Sequence, residues 1–154
     1  MLGKYCKQTQ RVTCIHQLID IIDNTLKRDS NNCWDDDTIE LYLDADNSKD
    51  SEYGDNDFQY MMTWNEAEIR ETKHNRTDGV EFAMVQTDEG YCTEIKIPWS
   101  TLGVTPETGM EMGFEIQIND DDDAGNYSRD RKWFWWGIQD YGYRDPGMFG
   151  TITL

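Results

Sequence analysis

A chain of 154 residues with 31 acidic and 14 basic side chains carries a formal charge of −17. That length supports one packed core, and no stretch approaches the ~20 apolar residues of a membrane-spanning helix. Lysines and arginines are scattered singly, which excludes a polyanion such as nucleic acid as a partner and leaves cations and neutral ligands.

The opening "MLGKYCKQTQRVTCIHQ" is basic without a continuous apolar core and is not a signal peptide as it stands. Either a leader has been removed or the chain begins inside a longer protein. In "IHQLIDIIDNTLKR" the apolar residues Ile15, Leu18, Ile19, Ile22 and Leu26 follow i, i+3, i+4, i+7, which taken alone is a helical stripe. "NNCWDDD" then sets Trp34 among polar residues, where an indole gains little unless something covers it.

"TIELYLD", residues 38–44, alternates as a strand, with Ile39, Leu41 and Leu43 on one face and Thr38, Glu40 and Tyr42 on the other. The following "DADNSKDSEYGDND" places Asp44, Asp46 and Ser48 in the D-x-D-x-S rhythm of a calcium loop, and Asp55 and Asp57 return at its far end. Calcium takes six to eight oxygens at about 2.3–2.6 Å, and carboxylates this dense ask for a cation. The loop is not an EF-hand, because Lys49 holds the glycine position and the flanks read as strands. A solvated acidic loop is the competing reading. "NDDDDAGN", residues 119–126, is a weaker candidate of the same kind.

Alternation marks three more strands: "DFQYMMTW" (57–64), "YCTEIKIPW" (91–99) and "MGFEIQIND" (112–120). Further strands are expected at 80–86, 132–137 and 149–154, with turn signals such as "RTDG", "TPETG" and "RDPG" between them. Many short strands, each with one apolar face, predict an all-β, antiparallel, jelly-roll-like sandwich. Trp64 and Trp99 end apolar faces and read as core. In "KWFWWGIQDYGYRDPG", Trp133 and Trp135 share one face, Phe134 and Trp136 the other, and Tyr141 and Tyr143 flank glycine in a turn. Loop aromatics among polar side chains suit the flat C–H faces of sugars or simply pack on the sandwich edge. The four cysteines, Cys6, Cys14, Cys33 and Cys92, form no C-x-x-C pair, and both free thiols and one or two disulfides are compatible with their spacing.

The stretches "DNTLKRDSNNCWDDDTIELYLDADNSKDSEYGDNDFQY", "GYCTEIKIPWSTLGVTPETGMEMGFEIQIND" and "RDPGMFGTITL" resemble the family 9 carbohydrate-binding modules, β-sandwich appendages found beside xylanases. The likeness runs from residue 23 to 154. It implies a non-catalytic binder of plant cell-wall gluco- or xylo-oligosaccharides, held between two aromatics, in a secreted protein with a tethered glycoside hydrolase. By position those aromatics are Trp34 and Tyr143. Glu40 and Gln117 match hydroxyl-binding residues, Asp140 stands where an asparagine contributes, and Met61 replaces a sugar-binding arginine. The family's structural calcium supports Asp44, Asp46, Asp55 and Asp57 as ligands, with Asp23 and Asp120 behind them. The resemblance departs in residues 1–22, which divide off as a divergent N-terminal segment ahead of a module spanning 23–154. It makes the segment before Asp23 a strand despite its helical periodicity. A sandwich short of its usual N-terminal strands would leave a sheet edge for a second copy of the chain.

Two other functions compete. A haem-binding, cytochrome-like sandwich needs Met or His axial ligands, for which His16, His74, Met61 and Met62 are at hand. A glycosidase needs a carboxylic acid with a raised pKa in a dry pocket, and Glu40 is the one acid placed for it.

Overall fold

The computed structural model describes residues 13–123, 128–137 and 139–154. Among these residues nine strands follow one another: β1 (Cys14–Ile22), β2 (Thr38–Asp44), β3 (Asp57–Thr63), β4 (Arg70–Glu71), β5 (Glu81–Gln86), β6 (Gly90–Pro98), β7 (Glu111–Asp120), β8 (Arg131–Phe134) and β9 (Gly150–Thr153). Every pairing is antiparallel. A three-stranded sheet has the order β1-β6-β5, and a six-stranded sheet the order β4-β3-β2-β7-β8, with β9 also on β7. The architecture is the expected antiparallel sandwich. Among the described residues no helix is long and apolar enough to cross a membrane.

The core lies between the sheets. Ile39, Leu41 and Leu43 of β2 stand in register with Met62, Tyr60 and Phe58 of β3 and with Ile118, Ile116 and Phe114 of β7. They meet Tyr91, Ile95 and Ile97 of β6 and Ile19 of β1. Trp64 packs against this cluster, its ring 5.7 Å from that of Tyr91. Trp99 opens a four-residue helix, α1 (Trp99–Leu102), which sinks Trp99 and Leu102 into the core and ends at Gly103 in a left-handed conformation.

β2 and β3 are buried along their whole length on both faces. One face is covered by the small sheet, and the polar face must therefore be covered as well. The loops after β2 and around β8 do this, which makes the polar face an interior and sets the terms for everything placed on it.

The segment with helical periodicity is strand β1, paired residue for residue with β6 from Cys14 to Ile22. Residues 14–22, set apart in the sequence reading as part of a divergent segment, thus belong to the small sheet. The false helical signal has a simple origin. Ile15, Gln17, Ile19 and Ile21 point one way as alternation requires, while the exposed outer face carries Leu18 and Ile22 among His16 and Asp20. Apolar side chains on both faces of an edge strand imitate a helical stripe. β8 ends at Phe134, short of the expected 137, because Trp135 and Trp136 turn away. Cys14, Cys33 and Cys92 are free thiols, and Cys6 lies outside the described residues.

β6 can begin opposite Ile22 only because residue 90 is glycine. Its φ is +154°, and a Cβ there would lie 2.2 Å from the Ile21 carbonyl oxygen. Gly90→Ala is expected to cost about 1–3 kcal/mol of stability, read as a lower urea midpoint at unchanged slope.

Candidate functional site

Trp34 sits in a short 310 turn, Cys33–Asp35, in the loop leading into β2, and is 47 % exposed. The acids around it explain how an indole is held in water. Asp36 accepts the backbone N–H groups of Asp29 and Ser30, each at 2.8 Å, and the Arg28 guanidinium at 2.8 Å. Asp37 accepts the N–H of Lys27 at 2.5 Å and that of Asp121 at 3.2 Å. Burial pushes the Asp37 carboxyl up to about 7, against the opposing pull of those amides. Cys33 points inward, its sulfur 3.8 Å from that of Met61, and Thr38 donates to the Cys33 carbonyl at 2.5 Å. The loop is pinned at its base by carboxylates and a thiol, with the indole left at its crest.

Below the crest lies the polar face of the large sheet, centred on Glu40, which is 2 % exposed. One carboxylate oxygen accepts from Asn119 Nδ2 at 2.6 Å and Lys132 Nζ at 2.8 Å, and the other from Gln59 Nε2 at 2.9 Å and the Tyr42 hydroxyl. Four strands supply these donors: β7, β8, β3 and β2. Burial and the Glu40 charge raise the Tyr42 pKa, so its hydroxyl stays a donor. Lys132 also reaches Asp140 at 2.8 Å, and Asp140 pairs with Arg129, which donates to the Trp34 carbonyl at 3.2 Å. A continuous polar chain therefore runs from Glu40 through Lys132, Asp140 and Arg129 to the Trp34 backbone.

The turn after Asp140 closes the site from above. Gly142 lies so near that a Cβ would come within 2.8 Å of Gln117 Nε2 and 3.3 Å of Tyr42 Cζ. Its carbonyl accepts the Tyr53 hydroxyl at 2.5 Å. Tyr143 follows, 37 % exposed, with the Arg144 guanidinium 4.8 Å from its ring centre and its carbonyl taken by Lys73 at 2.6 Å. Burial lowers the Lys73 pKa.

Of the five residues expected to touch a ligand, Trp34, Asp140 and Tyr143 reach the surface. Glu40 and Gln117 lie beneath it, saturated or capped by protein groups. Met61 is buried against Cys33. Arg129, Lys132, Gln59 and Asn119 were missed. Asn119 and Lys132 are register partners and Gln59 is that of Tyr42, so pairing the polar faces of the expected strands would have found them. Arg129 had no such signal.

The loop expected to bind calcium closes largely on itself. Asp44 accepts the N–H groups of Ser48 at 3.2 Å and Lys49 at 3.0 Å, Asp46 accepts that of Ser48 at 3.1 Å, and Asp57 that of Gly54 at 2.7 Å. Asp44 and Asp57 are cross-strand partners. Burial, with the nearby charges of Asp44, Asp46 and Asp50, pushes the Asp57 carboxyl up to about 6, and its Oδ1 is buried without a partner. Asp55 is exposed. Among the described residues, carboxylates converge in threes elsewhere: at Asp23, Asp120 and Asp122, and at Asp29, Asp36 and Asp121. The haem ligands do not assemble either. His16 faces outward beside Glu94, and the His74 ring nitrogen faces the Gly54 and Asp57 carbonyls at 3.0 and 3.1 Å.

The family model for the "Carbohydrate family 9 binding domain-like" group matches residues 6–154. Endo-1,4-beta-xylanase A of Thermoanaerobacterium saccharolyticum and exoglucanase XynX of Acetivibrio thermocellus are each 29 % identical to this chain over 140 residues. Those alignments take in 91 % of this chain and 12 % of each relative, so the chain spans about an eighth of their length. Among solved structures, a family 9 carbohydrate-binding module from Caldicellulosiruptor kristjanssonii shares the fold. Its complexes with glucose and cellotriose give TM-scores of 0.82 and 0.80 at 22 % identity, covering 92 % of this chain and 70 % and 69 % of that one.

Removing one partner of a buried ion pair strands the other charge, at about 3–5 kcal/mol. Lys132→Met is expected to lower stability by that order in chemical denaturation. Glu40→Gln added to it should recover part of the loss, because an amide carries no charge to strand.

Proposed function

The chain belongs to the family 9 carbohydrate-binding domains, which are non-catalytic modules, and from that premise we propose that it holds a β-linked gluco- or xylo-oligosaccharide on Trp34 and Tyr143. The observation that carries this reading is the exposure of two aromatic rings next to a polar network that is otherwise interior. Indole and phenol faces take the C–H faces of a pyranose. Asp140 and the partly exposed Arg129 are the groups within reach of its hydroxyls. Glu40 and Gln117 act from below. Glu40 fixes Lys132, and through it Asp140 and Arg129, while Gln117 supports the Gly142 backbone that carries Tyr143. Such a site is weak, because solvent competes for every hydroxyl contact; roughly −4 to −7 kcal/mol corresponds to millimolar to micromolar dissociation constants.

The names of the relatives support a wider setting, in which the module is appended to a secreted xylanase or glucanase and brings it to plant cell-wall polysaccharide. Among the described residues the small sheet ends in β1 and β5, and an edge of this kind is the place where a second copy would pair. Calcium is the cation we assign to the loop between β2 and β3. Asp44, Asp46 and Asp57 would face it, and the Asp57 Oδ1, buried without a donor, is the strongest support. Asp55, which is exposed, would join at the rim.

In calorimetric titrations with glucose, cellotriose and xylobiose, Trp34→Ala and Tyr143→Ala are each expected to lose tenfold or more in affinity, about 1.4 kcal/mol, with melting temperature unchanged. Either variant binding like the parent protein removes that ring from the site. A chelator is expected to lower the melting temperature and added calcium to restore it; a curve indifferent to both would remove the cation.

A further inference from the structure

We propose that Tyr53 and Lys73, which come from two loops remote from it in sequence, are positioning residues for Tyr143 and hold its ring ready for a ligand. This rests on the reading of Tyr143 as a sugar platform.

The turn that carries Tyr143 lies outside the strands, and its own backbone bonds are local. Tyr141 N–H donates to the Gln139 carbonyl at 2.9 Å, and the Arg144 and Asp145 N–H groups donate to the Tyr141 carbonyl at 2.8 and 2.9 Å. Among the described residues no backbone N–H reaches the carbonyls of Gly142 or Tyr143. Side chains take both instead. The Tyr53 hydroxyl donates to Gly142 at 2.5 Å across 89 positions of sequence, and Lys73 Nζ to Tyr143 at 2.6 Å across 70. Two consecutive carbonyls at the root of the ring are therefore held from outside the turn, while Gln117 and Tyr42 lie against Gly142 from below.

The two donors are joined to each other, and each is anchored. Lys73 Nζ lies 3.9 Å from the centre of the Tyr53 ring, a cation–π contact that strengthens as the ammonium leaves water. Burial raises the Tyr53 pKa, so its hydroxyl stays a donor. The Lys73 backbone N–H is fixed to the buried Glu71 carboxylate at 2.9 Å. Tyr53 stands edge-on to Phe149, ring centres 6.4 Å apart, and the next N–H, that of Gly54, is taken by Asp57 at 2.7 Å.

The Arg144 guanidinium covers one side of the Tyr143 ring, 4.8 Å from its centre. Stacking on a pyranose then falls to the other side and needs a fixed ring plane. A ring on a loose turn would have to be ordered at the moment of binding, and that cost subtracts from affinity. At Trp34 the same ordering is done in advance by Asp36 and Asp37. Tyr53 and Lys73 do it for the second ring, without touching the sugar.

A double-mutant cycle read by calorimetric titration with cellotriose tests the role. Lys73→Met and Tyr53→Phe are each expected to weaken binding roughly three- to tenfold, and to weaken it no further once Tyr143→Ala has removed the ring. A residue that only supports the fold would leave affinity unchanged, and one that touches the sugar would keep its effect without the ring. Melting curves accompany each variant, and Lys73→Met carries the cycle alone should Tyr53→Phe fold poorly. The proposal is overturned if the folded variants bind like the parent, or if they lose as much in the Tyr143→Ala background as outside it. Those results leave the sugar reading standing as long as Tyr143→Ala itself weakens binding; a Tyr143→Ala protein that binds like the parent overturns both.

Discussion

A carboxylate at the centre of the large sheet organises the polar half of this molecule. Glu40 is on β2, the strand between β3 and β7, and is out of contact with water. Leaving such a charge unmatched would cost several kcal/mol, a large share of the roughly 5–15 kcal/mol that holds a typical domain folded. Donors converge on it from β2, β3, β7 and β8. Once they are in place, the positions of Asp140, Arg129 and the turn through Gly142 follow by direct contact. The exposed rings are the outermost layer of an arrangement determined from inside.

Much of the fold was legible because alternation is a local signal. The strands at 38–44, 57–63, 90–98 and 111–120 all announce themselves by it. β1 did not, since Leu18 and Ile22 place apolar groups on its outer face. The two-residue β4 and four-residue α1 are too short for any period to show. Alternation gives the face a residue occupies but not its partner across the sheet, which is why Glu40, Gln117 and Asn119 were visible as polar-face residues while the contacts of Asn119 and Lys132 with Glu40 were not. It also cannot tell a polar face open to water from one roofed by loops. Trp34 stood out because a lone indole among polar neighbours is anomalous in sequence, and Arg129 passed unnoticed because a lone arginine is not.

The acids show the same limit from another side. Spacing along the chain drew attention to Asp44, Asp46, Asp55 and Asp57, whereas the triads that converge in space join residues distant in sequence. A large part of the acidic excess does internal work on the backbone. Glu71 accepts the amides of Lys73, His74 and Arg76, and Glu115 those of Trp135, Trp136 and Gly137. In a molecule with little helix, carboxylates terminate the irregular segments as helix caps would elsewhere. Net charge then reflects how many loops need fixing as well as what the surface is meant to meet.

The lysine and glutamate at the heart of the polar face are 92 positions apart, and the asparagine that shares that carboxylate is 79 away from it. Contacts between such remote parts of a chain close late, because loop entropy must be overcome before they give anything in return. No fragment and no half-zipped intermediate can therefore present both rings on their proper footing. The polar network beneath Trp34 and Tyr143 is thus a property of the completed topology and of no single hairpin.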